Sequence, residues 1–586
     1  MIAQKSQKQL AYQYYVNADY IKAISIYKEL FQDNFEISCY SPYFFSLIKI
    51  EEYKKAESLA LQASKIYVNN KTYLLELGIA QYKSGNKKKS ERTFNKALTK
   101  FTGNKSMTIN FANTFIRHEL YDKALKIYIL SEDLNKKNTF YIQKAQIYAN
   151  LGDSELMLAE YMKELLEHPH QKPYVMSQIQ RFVDNDGIKT DKNYQLVKRA
   201  LLKYVNQEKD RIDFIEILIW LFMQNHQFEM ALQQAKALDR RNDSDGQVVF
   251  DLAETFLDKC YYELAINAYD YILDKGSENH LFIESNINKL YAILKSSNNK
   301  HRNLYEIDDM YKEIINDLGH NKNTVLLLSN YAHFKAFYLF DLIAAEKILN
   351  NAMQIPQINP IDLAECKLEY ADIKLLLGDV WESLLFYSQV EKEFKEHPIG
   401  HEAKYRRAKI AYYQGDFDWA QAQLNTLKAS TSKFIANDAM NLSLLIIDNY
   451  NMDTILSPMS SFASADLLVY QKKYLQAINR YDSILLMFPG HSLSDEIYMR
   501  KADIYIKTNK IEIALEMYER IILEFSFDIL ADDALYNKAK IYDEILLKKD
   551  VAMKLYEKIL IEHQGSIYTI ESRKRFREIR GDNLNN

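Results

Sequence analysis

Small and large apolar residues recur along the chain in a fixed order, and that order predicts pairs of helices. In residues 77–98, LGIAQYKSGNKKKSERTFNKAL, Leu77, Gly78, Gly85, Phe94 and Ala97 are spaced as a helix, a tight turn and a second helix. The frame returns at Ala11, Tyr14, Ala23 and Tyr27, at Ala112, Phe115, Ala124 and Tyr128, and at Ala145, Tyr148, Gly152, Tyr161 and Pro169. Later copies are Ala253, Phe256, Ala265 and Tyr269, then Ala408, Gly415 and Ala420. Two more are Ala465, Ala477, Tyr481 and Pro489, and Ala502, Tyr505, Ala514 and Tyr518. Antiparallel helices approach to 8–10 Å only where a small residue faces a large one, so Ala or Gly marks close approach and Tyr or Phe fills the adjoining space. Gly85, Gly152, Gly378 and Gly415 are predicted at inter-helix turns, where a left-handed residue ends a helix.

A single position, the small residue of the second helix, measures the period. Ala23, Ala56, Ser90, Ala124 and Met157 are 33 or 34 residues apart, whereas Ala345, Ser383, Ala420, Ala477, Ala514 and Ala552 are mostly 37 or 38 apart with one wider gap. Three stretches break the frame, at about 170–210, 276–325 and 428–462. Two of them contain turn-rich pieces, Asp184 to Gly187 and Ser296 to Asn303.

Composition narrows the class. Among 586 residues there are 14 glycines and 8 prolines, about a third of average usage, which disfavours hairpin-rich β folds and Gly-rich phosphate loops. Hydrophobic residues at 48% and charged residues at 26% allow a large core and a charged exterior. Lys and Arg (75) against Asp and Glu (79) give a net charge of −4, so no global attraction to nucleic acid is expected. The most apolar stretch, Phe214 to Met223, is too short to span a bilayer, so no integral membrane segment is expected. Cys39, Cys260 and Cys366 have neither CxxC nor Cys/His spacing and are expected as buried thiols. The start, MIAQKS, has no signal-length apolar run, so the chain as written is expected in the cytoplasm.

These residues resemble the tetratricopeptide repeat family, whose signature is W/L-x2-L-G/A-x2-Y followed by Ala, Phe/Tyr, Ala and Pro. The resemblance covers most of the chain and implies an all-α, right-handed superhelical solenoid of antiparallel helix pairs. It divides the chain into an N-terminal array at 1–170, an irregular helical middle at 171–325 with two repeats at 211–275, and a C-terminal array at 326–586 with the longer spacing. That later half, with YLQAINRYDSILLMFPG and IEIALEMYERIILEF, resembles the repeats of bacterial envelope proteins, the outer-membrane assembly lipoproteins and the Tol-Pal coordinator. An exported or periplasmic life is implied if a leader was lost.

In the resembled family the first helix of each pair lines a concave groove that holds a protein or peptide. Carried over by position, the groove residues are Tyr12, Tyr15, Asn113, Arg117, Gln146 and Asn150 in the first half. In the second half they are Lys409, Tyr412, Tyr413, Asp466, Tyr470 and Asp503. The family's carboxylate clamp is matched only at Asn113, because Tyr12, Phe45 and Ile79 stand at equivalent places elsewhere. A non-enzymatic scaffold without cofactor or metal is the leading reading. The alternative is a binder or processor of peptidoglycan or another glycan, using clustered groove acids or Tyr and Trp such as Trp381 and Trp419.

Other motifs have plainer explanations. Ser430 to Lys433 matches S-x-x-K without its companion elements and reads as a helix N-cap. His397 and His401 stand four apart but enclose Pro398 and Gly400 and lack a third metal ligand, and His168 and His170 flank Pro169. Asp243-x-Asp245-Gly246 and Asp184-x-Asp186-Gly187 do not complete a calcium loop. Lys87 to Lys89 reads as a solvated turn, and Arg573 to Arg580 as a capping amphipathic helix or a site for an acidic partner.

Overall fold

The computed structural model of the chain describes residues 2–33, 37–99, 101–184, 191–208, 211–296, 304–428, 433–450 and 456–582. Among them are 32 α-helices and no strand. The chain divides into two compact units, 1–225 and 226–586. Each unit by itself is an all-α solenoid of paired antiparallel helices, consistent with tetratricopeptide-like architecture.

The expected alternation of small and large side chains forms the core. Every second-helix marker from Ala23 to Ala552 is buried, and all of them except Met157 have no exposed surface. One turn after a small residue on the same helix face come some of the largest fully buried side chains, Tyr27, Tyr128, Tyr269, Tyr387, Tyr481, Tyr518 and Tyr556. In the first unit a Cβ added at Gly78 would lie 2.4 Å from the Phe94 ring. The Ser90 hydroxyl of the facing helix donates to the Gly78 carbonyl at 2.8 Å. A larger residue at either place would push the two helices apart.

The turns obey the same period through backbone conformation. Positive φ occurs at Ala18, Glu51, Gly85, Glu119 and Gly152, at His226 and Cys260, at Phe340, Gly378 and Gly415, and at Lys472, Asn509 and Leu547. Within each of these groups the spacing is 33–34 or 37–38 residues, so the left-handed turn residue is a property of the repeat. Glycine occupies only some of these positions, and a non-glycine residue held there costs about 1–2 kcal/mol. In five turns among the described residues an aspartate follows and caps the next helix. The side chains of Asp19, Asp153, Asp341, Asp379 and Asp416 accept from the backbone N–H of Lys22, Leu156, Ala344, Glu382 and Trp419 at 3.1–3.4 Å.

The frame-breaking stretches are helical too. Helices Lys172–Asp184 and Asp191–Gln207 occupy the first, Phe282–Lys295 and Leu304–Leu318 the second, and Lys433–Tyr450 the third. The wider gap between Ala420 and Ala477 thus holds an additional helix, Lys433–Tyr450. Helix Ser457–Tyr470 nevertheless packs against Pro398–Gln414, its predecessor in the frame. One expectation is corrected. Cys39 and Cys366 are buried, but Cys260 is exposed, because it occupies an inter-helix turn at φ 62°. Ser430 to Ser432, Asp186 and Gly187 lie outside the described residues.

Gly78→Ala is expected to lower stability by about 1–3 kcal/mol through overpacking of Phe94, with partial recovery on adding Phe94→Leu. Gly565→Ala, where a Cβ would meet nothing within 4 Å, should stay within about 0.5 kcal/mol. Equal losses in chemical denaturation for the two alanine variants would remove the interlock as the cause.

Candidate functional site

In the second unit, first helices of successive pairs line a cavity of about 1330 Å³. Helices Pro398–Gln414, Ser457–Tyr470 and Ser494–Lys507 together with the additional helix Lys433–Tyr450 contribute most of its wall, and Leu530 and Tyr568 border one end. Lys409, Tyr412, Tyr413, Asp466, Tyr470 and Asp503, the six positions chosen from the later half of the sequence, all border it.

Two carboxylates organise the tyrosines. Asp372 accepts from the hydroxyls of Tyr387 at 2.5 Å and Tyr470 at 3.0 Å, and its second oxygen pairs with Arg406 at 2.5 Å. Arg406 also donates to Glu402 at 2.8 Å. Asp466 accepts from Tyr412 at 2.8 Å and Tyr481 at 2.5 Å, with Arg500 Nε at 3.3 Å. Burial, followed by the adjacent carboxylate, raises the pKa of the Tyr387, Tyr412, Tyr470 and Tyr481 hydroxyls, which stay protonated as donors. Tyr412 is 2% exposed and belongs to the floor, whereas Tyr405, Tyr413 and Tyr470 are half-buried.

These three rings surround the Lys409 ammonium, whose nitrogen lies 5.9, 6.0 and 5.6 Å from their centroids. Burial lowers the Lys409 pKa. No hydrogen bond or ion pair to it is present among the described residues. Across the cavity, Asp495 and Glu496 open helix Ser494–Lys507. Asn449 donates to Glu496 Oε1 at 3.2 Å, while the buried Oε2 has no partner among the described residues. Burial, then Asp495, raises the Glu496 pKa, and burial raises those of Asp503 and Asp533. Tyr568 donates to Asp533 at 2.6 Å.

The chosen residues of the first half lie in the other unit. Tyr15 contacts Tyr12 and Phe45, each at 5.8 Å between ring centroids. Arg117 donates to Ser41 at 3.0 Å and stands 3.9 Å from the buried Glu76 carboxylate. Asn113 is exposed one turn earlier on the same helix. Gln146 donates to the Tyr174 hydroxyl at 3.1 Å, and Asn150 to the Gln146 carbonyl at 2.9 Å. Beneath Phe45, the buried His118 ring meets Phe44 edge-on at 5.5 Å. Neither of its nitrogens has a partner among the described residues, and burial depresses its pKa to about 3.

Sequence reasoning missed Asp372, Tyr405, Arg406 and the lining contributed by Lys433–Tyr450. A signal existed for the carboxylates, since Glu254 and Tyr269, Asp372 and Tyr387, and Asp466 and Tyr481 are bonded pairs 15 residues apart. The indoles proposed for glycan contact do not line the cavity. Trp381 is exposed, and Trp419 lies 5.2 Å from the Arg407 guanidinium. His397 caps a helix by accepting from Ile399 N–H at 3.3 Å, and Asp245 accepts from Gln247 N–H in its turn at 3.1 Å. Among the described residues no group of three or more His, Cys, Asp or Glu could hold a metal ion, and no helix is long and apolar enough to cross a membrane.

No protein-family model matches the chain, and no curated protein does. Among solved structures, it is similar to a chain of the Naa15/Naa10 complex bound to HypK-THB, at 15% identity over 100% of this chain and 95% of that one, with a TM-score of 0.29. It is also similar to yeast Tom70, at 13% identity over 98% and 99% of the respective chains, with a TM-score of 0.27. Overlap of this extent adds nothing to what the helix pairing already establishes.

Asp466→Ala should cost about 2–4 kcal/mol in a denaturant melt, because it leaves the buried Tyr412 and Tyr481 hydroxyls without their acceptor. Glu562→Ala, which removes only an exposed pairing with Lys558, should cost less than about 1 kcal/mol, and equal losses would deny Asp466 its organising role. For His118 the unfolded chain takes up a proton near pH 6.5 and the folded chain only near 3. Stability is therefore expected to fall as pH drops through that window. His118→Leu should flatten this limb of the pH–stability curve, and an unchanged slope would place the titration elsewhere.

Proposed function

We propose that this chain is a non-enzymatic scaffold that holds an extended segment of a partner protein in the cavity of its second unit. Supporting this reading is the convergence of Lys409, Tyr413, Tyr470 and Asp503 on one concave surface, where Asp372 holds the Tyr470 hydroxyl and Asp466 holds Tyr412 in the floor beneath. Fixed aromatic rings with polar tips contribute large contact areas at low entropic cost. The patch of Tyr12, Tyr15 and Arg117, with Asn113, Gln146 and Asn150, is a second contact surface in the first unit. The three-block division at 171 and 326 and an envelope setting belong to the same proposal and rest on repeat spacing.

A glycan-processing reading draws on the raised carboxyl pKa values of Glu496 and Asp503 in the cavity. It differs in its ligand, since cell-wall oligosaccharides would then bind the purified chain and be cleaved.

The discriminating variant is Tyr405→Ala with Tyr413→Ala, because no hydrogen bond to either hydroxyl is present among the described residues. Tyr412→Ala would instead break the floor. The double variant should still fold cooperatively, with a lower melt because both rings also pack against the core, and should recover a cross-linked partner at least about tenfold less well, a loss of about 1.4 kcal/mol. Undiminished recovery from native cells would exclude this cavity as the docking site.

A further inference from the structure

The charges bordering the cavity do not balance. Asp438, Asp448, Asp503 and Asp528 all line it, and none makes a hydrogen bond or ion pair through its carboxylate among the described residues. Other charges there are already engaged. Arg500 is matched by Asp466, Lys472 donates to the Phe337 carbonyl at 2.8 Å and lies 3.7 Å from the Phe340 ring centroid, and Lys409 sits within its three tyrosines. Of the described cations bordering the cavity, Lys507 alone is left to face the four carboxylates.

Like charges gathered in a concavity repel one another, and low-dielectric walls focus their field outward. A cation entering relieves that repulsion, whereas an anion adds to it. A second observation concerns apolar surface. Ile529 and Ile567 border the same cavity and are 79% and 83% exposed, although most isoleucines of this chain are buried or half-buried. Apolar side chains exposed at the edge of a charged concavity offer contact area to a partner that enters it.

We propose that the occupant of this cavity is a segment of a partner protein that combines Lys or Arg with apolar side chains. Its cations meet Asp438, Asp448, Asp503 and Asp528, and its apolar side chains cover Ile529 and Ile567. The inference rests on the scaffold reading above and adds the chemistry of the partner. The unpaired carboxylates accept charge-assisted hydrogen bonds from the incoming cations. Because these carboxylates are partly open to solvent, the attraction weakens with added salt. The tyrosine walls provide contact that does not depend on the sign of the charge.

The test uses the full chain and immobilised synthetic peptides of three kinds, built from Lys/Leu/Ser, Glu/Leu/Ser and Lys/Ser. The Lys/Leu/Ser peptides are expected to bind at least about tenfold more tightly than the Glu/Leu/Ser set, less tightly as salt rises, and more tightly than Lys/Ser peptides. The quadruple variant Asp438→Asn, Asp448→Asn, Asp503→Asn and Asp528→Asn should lose about tenfold in affinity. A control carrying Glu512→Gln, Glu516→Gln, Asp550→Asn and Glu557→Gln removes the same charge away from the cavity and should change by less than about twofold. Equal loss in the two quadruple variants would overturn the proposal in favour of unspecific attraction.

Preference for the Glu/Leu/Ser peptides, abolished by Tyr405→Ala with Tyr413→Ala, would overturn the charge assignment and leave the cavity as the docking site. If no peptide is retained and the tyrosine variant still recovers its cellular partner, both readings fall.

Discussion

Close approach between a methyl-sized side chain and an aromatic ring is the constraint on which everything else in this molecule depends. Helices packed at 8–10 Å leave no room for two large residues at one crossing and would enclose a void between two small ones. Ala, Ser or Gly therefore alternates with Tyr or Phe at a period of 33–34 residues in the first unit and mostly 37–38 in the later part of the second. The turns follow, because a helix that must reverse after a set number of residues places its left-handed residue at the same interval. That interval is kept even where the residue is Glu51, Phe340 or Leu547.

Choosing tyrosine as the large partner has an electrostatic consequence. A buried phenol needs an acceptor, and for Tyr269, Tyr387 and Tyr481 of the second unit an Asp or Glu 15 residues earlier supplies it. Burying that carboxylate is costly unless it is paired, which recruits Arg406 and Arg500. The polar floor of the cavity is thus an extension of core packing. The same side chains that hold adjacent helices together also orient the rings and leave Lys409 enclosed among them.

Curvature adds what packing within a pair does not. Tyr470 reaches Asp372, Gln471 the Leu375 carbonyl and Lys472 the Phe337 carbonyl, across 98, 96 and 135 residues. These contacts tie inner helices of non-adjacent pairs and shape the concavity, while the additional helix Lys433–Tyr450 supplies wall that the repeat pattern does not provide. Charge left over from this construction, on carboxylates that form no ion pair among the described residues, would favour a cationic partner over an anionic one.

The sequence by itself determined the helical pairs, their period, the small residue at each crossing and the turn glycines, since these are local or periodic and leave marks in residue size. It also singled out Lys409, Tyr413, Tyr470 and Asp503 through a positional rule. Only the tertiary structure decided that these four share one cavity, that Tyr412 is floor, that Cys260 is exposed and that Trp381 and Trp419 stand apart. Those outcomes depend on how inner helices about a hundred residues apart come together. Such approach is governed by the accumulated rotation from pair to pair, which no single residue type records.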